Sequence, residues 1–257
     1  LYPGVDTVEV AETVMSDLGL TYEPAATQVV GRDRYTELVC LLANIATSLE
    51  RYGTEVRNLQ RSEISEAAEP FDRKKQVGSS TMAQKRNPMM SENVCGLARI
   101  VRSMVTPMFE SQVLWHERDL SNSSAERFIL PHTFTLLDEM FKKMEIVFGG
   151  LEVHRDRMVQ NIESSHGLIM AESLMMKMTE KGVGRQDAHE IVRSSSMIAE
   201  DEGRQLRDVL LEREDLNTMM SEEDIRSAMD PNNYTGGAKE IVDKMVADVE
   251  EKLKVRI

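Results

Sequence analysis

Cysteine is nearly missing from this sequence of 257 residues, in which Cys40 and Cys95 are the two thiols. Standing 55 positions apart, they offer no disulfide framework, no CxxC pair and no cysteine-based zinc site, and they fit a reducing, cytoplasmic setting. Long apolar runs are missing too. No stretch approaches the ~18 consecutive apolar residues of a membrane span and no basic-then-apolar leader opens the chain, so neither a membrane partner nor secretion is expected. Positive charge is in deficit, with 31 Lys+Arg against 44 Asp+Glu and a net charge of -13. That balance argues against a nucleic-acid partner, whose phosphates call for cations. Strand signals are nearly absent, and no internal repeat or low-complexity tract is evident. The chain opens on Leu1-Tyr2-Pro3-Gly4 rather than on Met, and reads as the interior of something longer.

What is present is helical rhythm. Leu38, Leu42, Ile45, Leu49, Tyr52, Val56 and Leu59 are spaced alternately by 4 and 3, a heptad seam that predicts a long helix with a partner. The rhythm returns in Val94, Leu97, Val101, Met104 and Met108, and again in Leu130, Phe134, Leu137, Phe141, Met144 and Phe148. A helix of about 25 residues is roughly 40 Å long, so three such helices fit side by side in an elongated all-α bundle. Asn87-Pro88 predicts a helix start, with Asn as N-cap and Pro in the first turn, where its missing N–H costs nothing. The stretch from Glu69 to Arg86 is then a loop. Pro107 should kink or end the second helix, and Gly149-Gly150 should close the third.

Beyond Leu151 the helices shorten and the charge turns acidic. Residues 200–257 hold 16 Asp+Glu against 9 Lys+Arg, a net of -7, whereas residues 71–127 hold 6 against 9, a net of +3. The expected organisation is a helical bundle over 1–150 and a smaller helical domain over 151–257, with any anionic ligand drawn to the positive stretch. The 18 methionines are read as adaptable core filling.

That positive stretch contains Gly78-Ser79-Ser80-Thr81-Met82-Ala83-Gln84-Lys85-Arg86-Asn87-Pro88, then Met89-Met90-Ser91-Glu92-Asn93. Hydroxyls, two cations and the backbone N–H groups of a helix start lie together here, which suits a carboxylate or a phosphate. Gly-Ser-Ser alone would read first as a flexible connector followed by a capped helix. The whole string closely resembles the signature loop of the fumarase/aspartase superfamily, GSSxMPxKxNP. Its Lys85-Arg86-Asn87-Pro88 ending is most similar to the adenylosuccinate lyase branch. Residues 115–127, Trp-His-Glu-Arg-Asp-Leu-Ser-Asn-Ser-Ser-Ala-Glu-Arg, resemble that branch's WHERDxSxSSAER segment, and Thr27-Gln28 before Arg32-Asp33-Arg34 resembles its TQxxxRDR element. The likeness extends along essentially the whole chain. Ala83 and Gln84 depart from it, standing where the family usually has Pro and His or Tyr, and loss of that Pro should loosen the loop.

The resemblance implies a β-elimination: a proton leaves the carbon beside a carboxylate, negative charge builds on that carboxylate, and a purine or imidazole-carboxamide nitrogen departs with a proton from a general acid. It assigns Ser79 as the base, Lys85 as the electrostatic clamp and Glu92 as the carboxylate that orients the general-acid histidine, whose position lies upstream of Leu1. Ser80, Arg86, Asn87 and Asn93 would bind substrate on the same side. Gln28, Arg118, Ser123, Ser124, Ala125, Glu126 and Arg127 carry over as substrate-binding positions, with the two arginines suited to bidentate contact with phosphate or carboxylate. None of His116, His132, His154, His166 and His189 matches the family's acid, and their spacing suggests no metal site. The implied ligands are a succinylated purine nucleotide and fumarate. No cofactor is implied, and the implied assembly is a homotetramer whose active sites are shared between subunits. A 3-carboxymuconate cycloisomerase of the same superfamily and a non-catalytic helical assembly module are the competing readings. Without the upstream histidine, the 257 residues alone are expected to turn over little or nothing.

Overall fold

Small residues decide how the long helices meet. In the computed structural model, which describes residues 3–71, 82 and 85–256, helix α2 (Asp33–Leu59) buries Val39, Ala43, Ala46, Leu49, Gly53 and Val56 along one face. It meets helix α3 (Met89–Ser103) tightly at Gly53, where an added Cβ would sit 3.2 Å from the Ser91 carbonyl oxygen and 3.4 Å from Cys95 Sγ. The seam predicted from large apolar residues is therefore rotated. Leu38 and Ile45 are half-buried and Tyr52 is exposed, because Ala43, Ala46 and Gly53 let the backbones come close where a bulky side chain would hold them apart.

After α3 the chain turns at Met104 and continues as the short helix α4 (Val105–Glu110), so Pro107 falls in a first turn, where it disrupts nothing. Helix α5 (Ser121–Gly149) completes the group and ends at the glycine pair. The core between α2, α3 and α5 is built from Leu42, Leu49, Val94, Val101, Leu137, Met140, Met144 and Val147. A smaller cluster of Val39, Met104, Met108 and Ile129 closes the end where α2 begins. The third predicted seam is only half buried: Leu137 and Met144 face the core, while Phe134, Phe141 and Phe148 are about half exposed, a ridge seven residues in period. The inward positions between them are Thr133, Met140 and Val147. Arg102 is ion-paired to Glu50, joining α3 to α2.

Helix α1 (Thr7–Asp17) precedes these, capped by the Asp6 carboxylate, and has no buried side chain. The strands are minimal. Ala67–Ala68 (β1) pairs antiparallel with Glu152–Val153 (β2), in register Ala67 to Val153. Gly150 makes this pairing possible, since a Cβ there would stand 2.7 Å from Pro70 Cβ.

The chain divides into two compact units, Leu1–His154 and Arg155–Ile257. The first retains residues 151–154 because β2 pairs with β1 and the His154 N–H donates to the Glu66 carbonyl. The second is entirely helical among its described residues: α6 (Arg155–Glu163), α7 (Ala171–Glu180), α8 (Arg185–Glu202), α9 (Leu206–Leu211), α10 (Glu214–Asn217), α11 (Glu222–Ala228) and α12 (Ala238–Leu253), with short 3-10 turns. Leu174, Met178, Ile191, Leu206, Leu210, Leu216 and Ile225 form its core. Methionine is a core filler in both units, yet Met176, Met197, Met219 and Met245 are exposed. No helix among the described residues is long and apolar enough to cross a membrane.

Candidate active site

Two groups of polar side chains stand at opposite ends of α2, both within the first unit. At its C-terminal end lies the root of the signature loop. Gly78, Ser79, Ser80, Thr81, Ala83 and Gln84 fall outside the described residues; Met82 and Lys85-Arg86-Asn87-Pro88 lie within them. They border a cleft of about 650 Å³ whose lining includes Arg57, Gln60, Arg61, Lys85, Asn87 and Glu92. Lys85 is exposed and has no ion-pair partner among the described residues, and Glu92 and Asn93 follow it, exposed, on the first turns of α3.

That helix start differs from the expectation. Helix α3 begins at Met89 with Pro88 in the capping position, and no side chain of the cap residue bonds to it. Its leading N–H groups are all taken: Met89 donates to the Asn87 carbonyl and Glu92 to the Pro88 carbonyl, both at 2.9 Å. Met90 and Ser91 donate to the two carboxylate oxygens of Glu69, at 3.1 and 2.6 Å. The anion expected at this helix start is thus supplied by the chain itself, as the buried Glu69. Attraction for a bound carboxylate is left to side chains, chiefly Lys85 and Arg57. Arg86, also predicted to bind substrate, is engaged internally: its Nη1 lies 3.2 Å from Glu152 Oε2 and its guanidinium stacks over Phe71.

The other group surrounds the N-terminal ends of α2 and α5. Here the structure joins two segments that are far apart in sequence. Thr27 Oγ1 donates to the Glu117 carbonyl at 2.6 Å. Arg32 reaches Glu126 with Nε at 2.7 Å from Oε1 and Nη2 at 2.5 Å from Oε2, and the Asn122 amide donates to the same Oε1 at 2.9 Å. The Arg32 guanidinium holds the Glu126 carboxyl below the usual carboxylate range against the opposing effect of burial, and Asn122 adds to the shift. The turn leading into α5 is tied by Asp119, which accepts from Trp115 and Ser121 N–H groups at 2.8 and 2.7 Å. Those bonds, with the Ser121 hydroxyl foremost, lower its carboxyl as well.

Arg32, Arg118, Asn122, Ser123, Glu126 and Arg127 line a cleft of about 320 Å³ beside Val29 and Pro131. Arg118 and Arg127 are exposed and, unlike Arg32, have no carboxylate partner among the described residues. Two unneutralised guanidiniums next to a hydroxyl suit a phosphate or a carboxylate pair. Of the remaining predicted positions, Gln28 is exposed beside Val29, Ser124 is exposed, and Ala125 packs on the small core at this end. The geometry adds Arg32, Arg57, Gln60, Glu69 and Asn122, none of them singled out as a site residue from the sequence. Arg32 could have been, from its place in the quoted element. Gln60 and Glu69 have no local signature, since their partners lie 9 to 26 residues away.

The loop root and the arginine cleft are separated by the full length of α2, 27 residues, or about 40 Å. A single nucleotide-sized ligand cannot span that distance.

The comparisons with known proteins agree along the chain. The family model described as "Lyase" matches residues 3–103, and "Adenylosuccinate lyase C-terminus" matches residues 167–245. Adenylosuccinate lyase of Pyrococcus horikoshii is 49% identical over 248 residues, which are 96% of this chain and 55% of the relative. That of Methanothermobacter thermautotrophicus is 44% identical over 250 residues, 97% and 56% of the two chains. Among solved structures, the 3-carboxy-cis,cis-muconate lactonizing enzyme from Pseudomonas putida aligns with a TM-score of 0.84 at 29% identity, covering 96% of this chain and 54% of that one. Fumarate lyase from Mesorhizobium sp. BNC1 aligns with a TM-score of 0.82 at 30% identity, covering 94% and 53%. The chain spans about half the length of the relatives it matches.

Proposed function

We propose, from its likeness to adenylosuccinate lyases along nearly all of this chain, that the whole protein eliminates fumarate from adenylosuccinate to give AMP, and from the succinylated imidazole-carboxamide ribotide of purine biosynthesis. The observation that carries this reading over its superfamily neighbours is the greater likeness to adenylosuccinate lyase than to the muconate enzyme. Arg118 and Arg127, uncompensated among the described residues and next to Ser123, supply what a nucleotide phosphate or a substrate carboxylate needs.

In this reading Ser79 takes the proton from the carbon beside a succinyl carboxylate. The electrons form the new carbon–carbon double bond as the carbon–nitrogen bond breaks, and the leaving nitrogen receives a proton from a histidine upstream of this chain, oriented by Glu92. Lys85 and Asn87 hold the carboxylate where charge develops, the kind of contact that lowers the barrier most. Ser80 and Asn93 complete that end. Gln28, Ser123, Ser124 and Arg127 hold the nucleotide, with Arg118 on the same ligand. Ala125 and Glu126 shape the cleft, and Glu126 acts through Arg32. Arg86 serves the site by anchoring the loop root. The protein would work in the cytoplasm, in keeping with its two free thiols, and without a cofactor.

The 40 Å between the two groups supports an assembly, in the proposed form a homotetramer, in which one subunit's loop root meets another subunit's arginine cleft. The test is steady-state turnover of adenylosuccinate by the full-length product of the parent gene beside its Ser79→Ala and Arg127→Ala variants. Turnover lost in both supports the reading. A folded wild type that leaves adenylosuccinate untouched overturns it, and conversion of 3-carboxymuconate would then point to the cycloisomerase.

A further inference from the structure

Gln60 ends α2 and bridges two segments that the fold must hold together. Its Oε1 accepts the Glu69 backbone N–H at 2.9 Å, and its Nε2 donates to the Arg86 carbonyl at 3.2 Å. Glu69 in turn grips the Met90 and Ser91 N–H groups with both carboxylate oxygens. The Ser91 carbonyl is pressed against Gly53 of α2, and Arg86 is held from its other side by Glu152 and Phe71. One short chain of contacts therefore fixes the peptide between Lys85 and Asn87, together with the turn that presents Glu92.

We infer that Gln60 and Glu69 form a positioning clip for the lyase reaction, setting the place of Lys85, Asn87 and Glu92 without touching substrate. This rests on the function proposed above. The warrant is geometric. Glu69 is buried, at 6% exposure, and each of its two side-chain oxygens meets a backbone N–H of the turn before Glu92. The Arg86 carbonyl gripped by Gln60 lies one peptide from Lys85 and one from Asn87. Groups that stabilise charge in a transition state lose their effect when displaced by about an ångström, so a clip on their own backbone acts on the chemical step more than on binding. A helix cap with no such role would change stability alone.

Two near-isosteric changes separate these outcomes in the full-length protein. Glu69→Gln keeps the shape but loses one acceptor and the charge; Gln60→Met keeps the volume and loses both hydrogen bonds. With adenylosuccinate as substrate, each is expected to lower kcat at least tenfold while KM moves less than threefold. Leu49→Ala, a cavity in the bundle core, serves as a control that lowers the melting temperature and leaves kcat within twofold. If kcat stays within twofold of wild type in both clip variants, the clip is structural and the inference falls. It falls equally if both variants lose their helical circular dichroism. A wild type without turnover removes the proposed function instead, and so is told apart from failure of the clip.

Discussion

Arg32 and Glu126 stand 94 positions apart and meet in a two-pronged ion pair, both largely shielded from water, with Asn122 donating to the same carboxylate. The pair fastens the segment before α2 to the first turns of α5, the two walls of the arginine cleft. Removing one partner leaves the other charge stranded in a poorly hydrated place, at a cost of about 2–4 kcal/mol. Glu126→Ala is therefore expected to destabilise the first unit by about that amount, read by urea denaturation. Arg32→Met combined with Glu126→Leu should recover much of the loss, because no charge is left unpaired. A double variant as unstable as the sum of the singles would argue against a coupled pair.

Asp224, in the first turn of α11, bonds both Lys181 and Ser221. Its carboxyl is pushed down from 3.8 to about 2, first by Lys181 and then by Ser221, with which it forms a capping box at the start of α11. A carboxyl lowered on folding contributes stability that is fully present above its unfolded value and disappears as pH falls through the folded one. Stabilisation from Asp224 should therefore be intact at pH 6 and fade between about pH 4 and pH 2. Wild type and Asp224→Asn should differ in melting temperature at pH 6 and converge toward pH 2. A difference that stays constant across that range would mean the charge contributes nothing.

Gly53 sets the distance between α2 and α3. Mid-helix, Ala would ordinarily gain about 0.5–1 kcal/mol over Gly, but here its Cβ meets the Ser91 carbonyl oxygen at 3.2 Å. The two effects should nearly cancel in Gly53→Ala. Gly53→Val adds two methyl groups where the Ser91 backbone and Cys95 already touch, and is expected to cost about 2 kcal/mol or more. Thermal unfolding ranks the three proteins, and a Val variant as stable as wild type would place the helices further apart than described.

How far the sequence discloses this fold depends on what each position touches. The long helices α2 and α5 are legible because apolar spacing is a local property, and Gly149-Gly150 marks where α5 ends, whereas the seam from Val94 to Met108 is divided at Met104, three residues before Pro107. The facing is less legible. Ala43, Ala46 and Gly53 contribute little hydrophobicity to a seam count yet lie on the buried face, whereas Phe134, Phe141 and Phe148 count strongly and remain half exposed. Asn87-Pro88 carries a sound local capping signal, but Glu69, brought in by a two-residue strand, provides the cap. Lys85, Arg118 and Arg127 could be named from motif strings. That the first belongs to one end of a 27-residue helix and the other two to the opposite end is a property of the fold alone.

That separation yields a quantitative prediction. If each site takes its loop from one subunit and its arginine cleft from another, Ser79→Ala and Arg127→Ala chains, each inactive alone, should complement when mixed. After subunit exchange in an equal mixture, a given site receives an intact loop half of the time and an intact cleft half of the time. About a quarter of the sites should then be wild type in both parts, giving about a quarter of wild-type activity. Sites built within one chain would give none, because every chain carries one defect. The measurement is adenylosuccinate turnover by full-length proteins mixed under mild denaturant, dialysed and checked for assembly. Activity that remains at the level of the single variants after demonstrated exchange would return both motifs to one subunit.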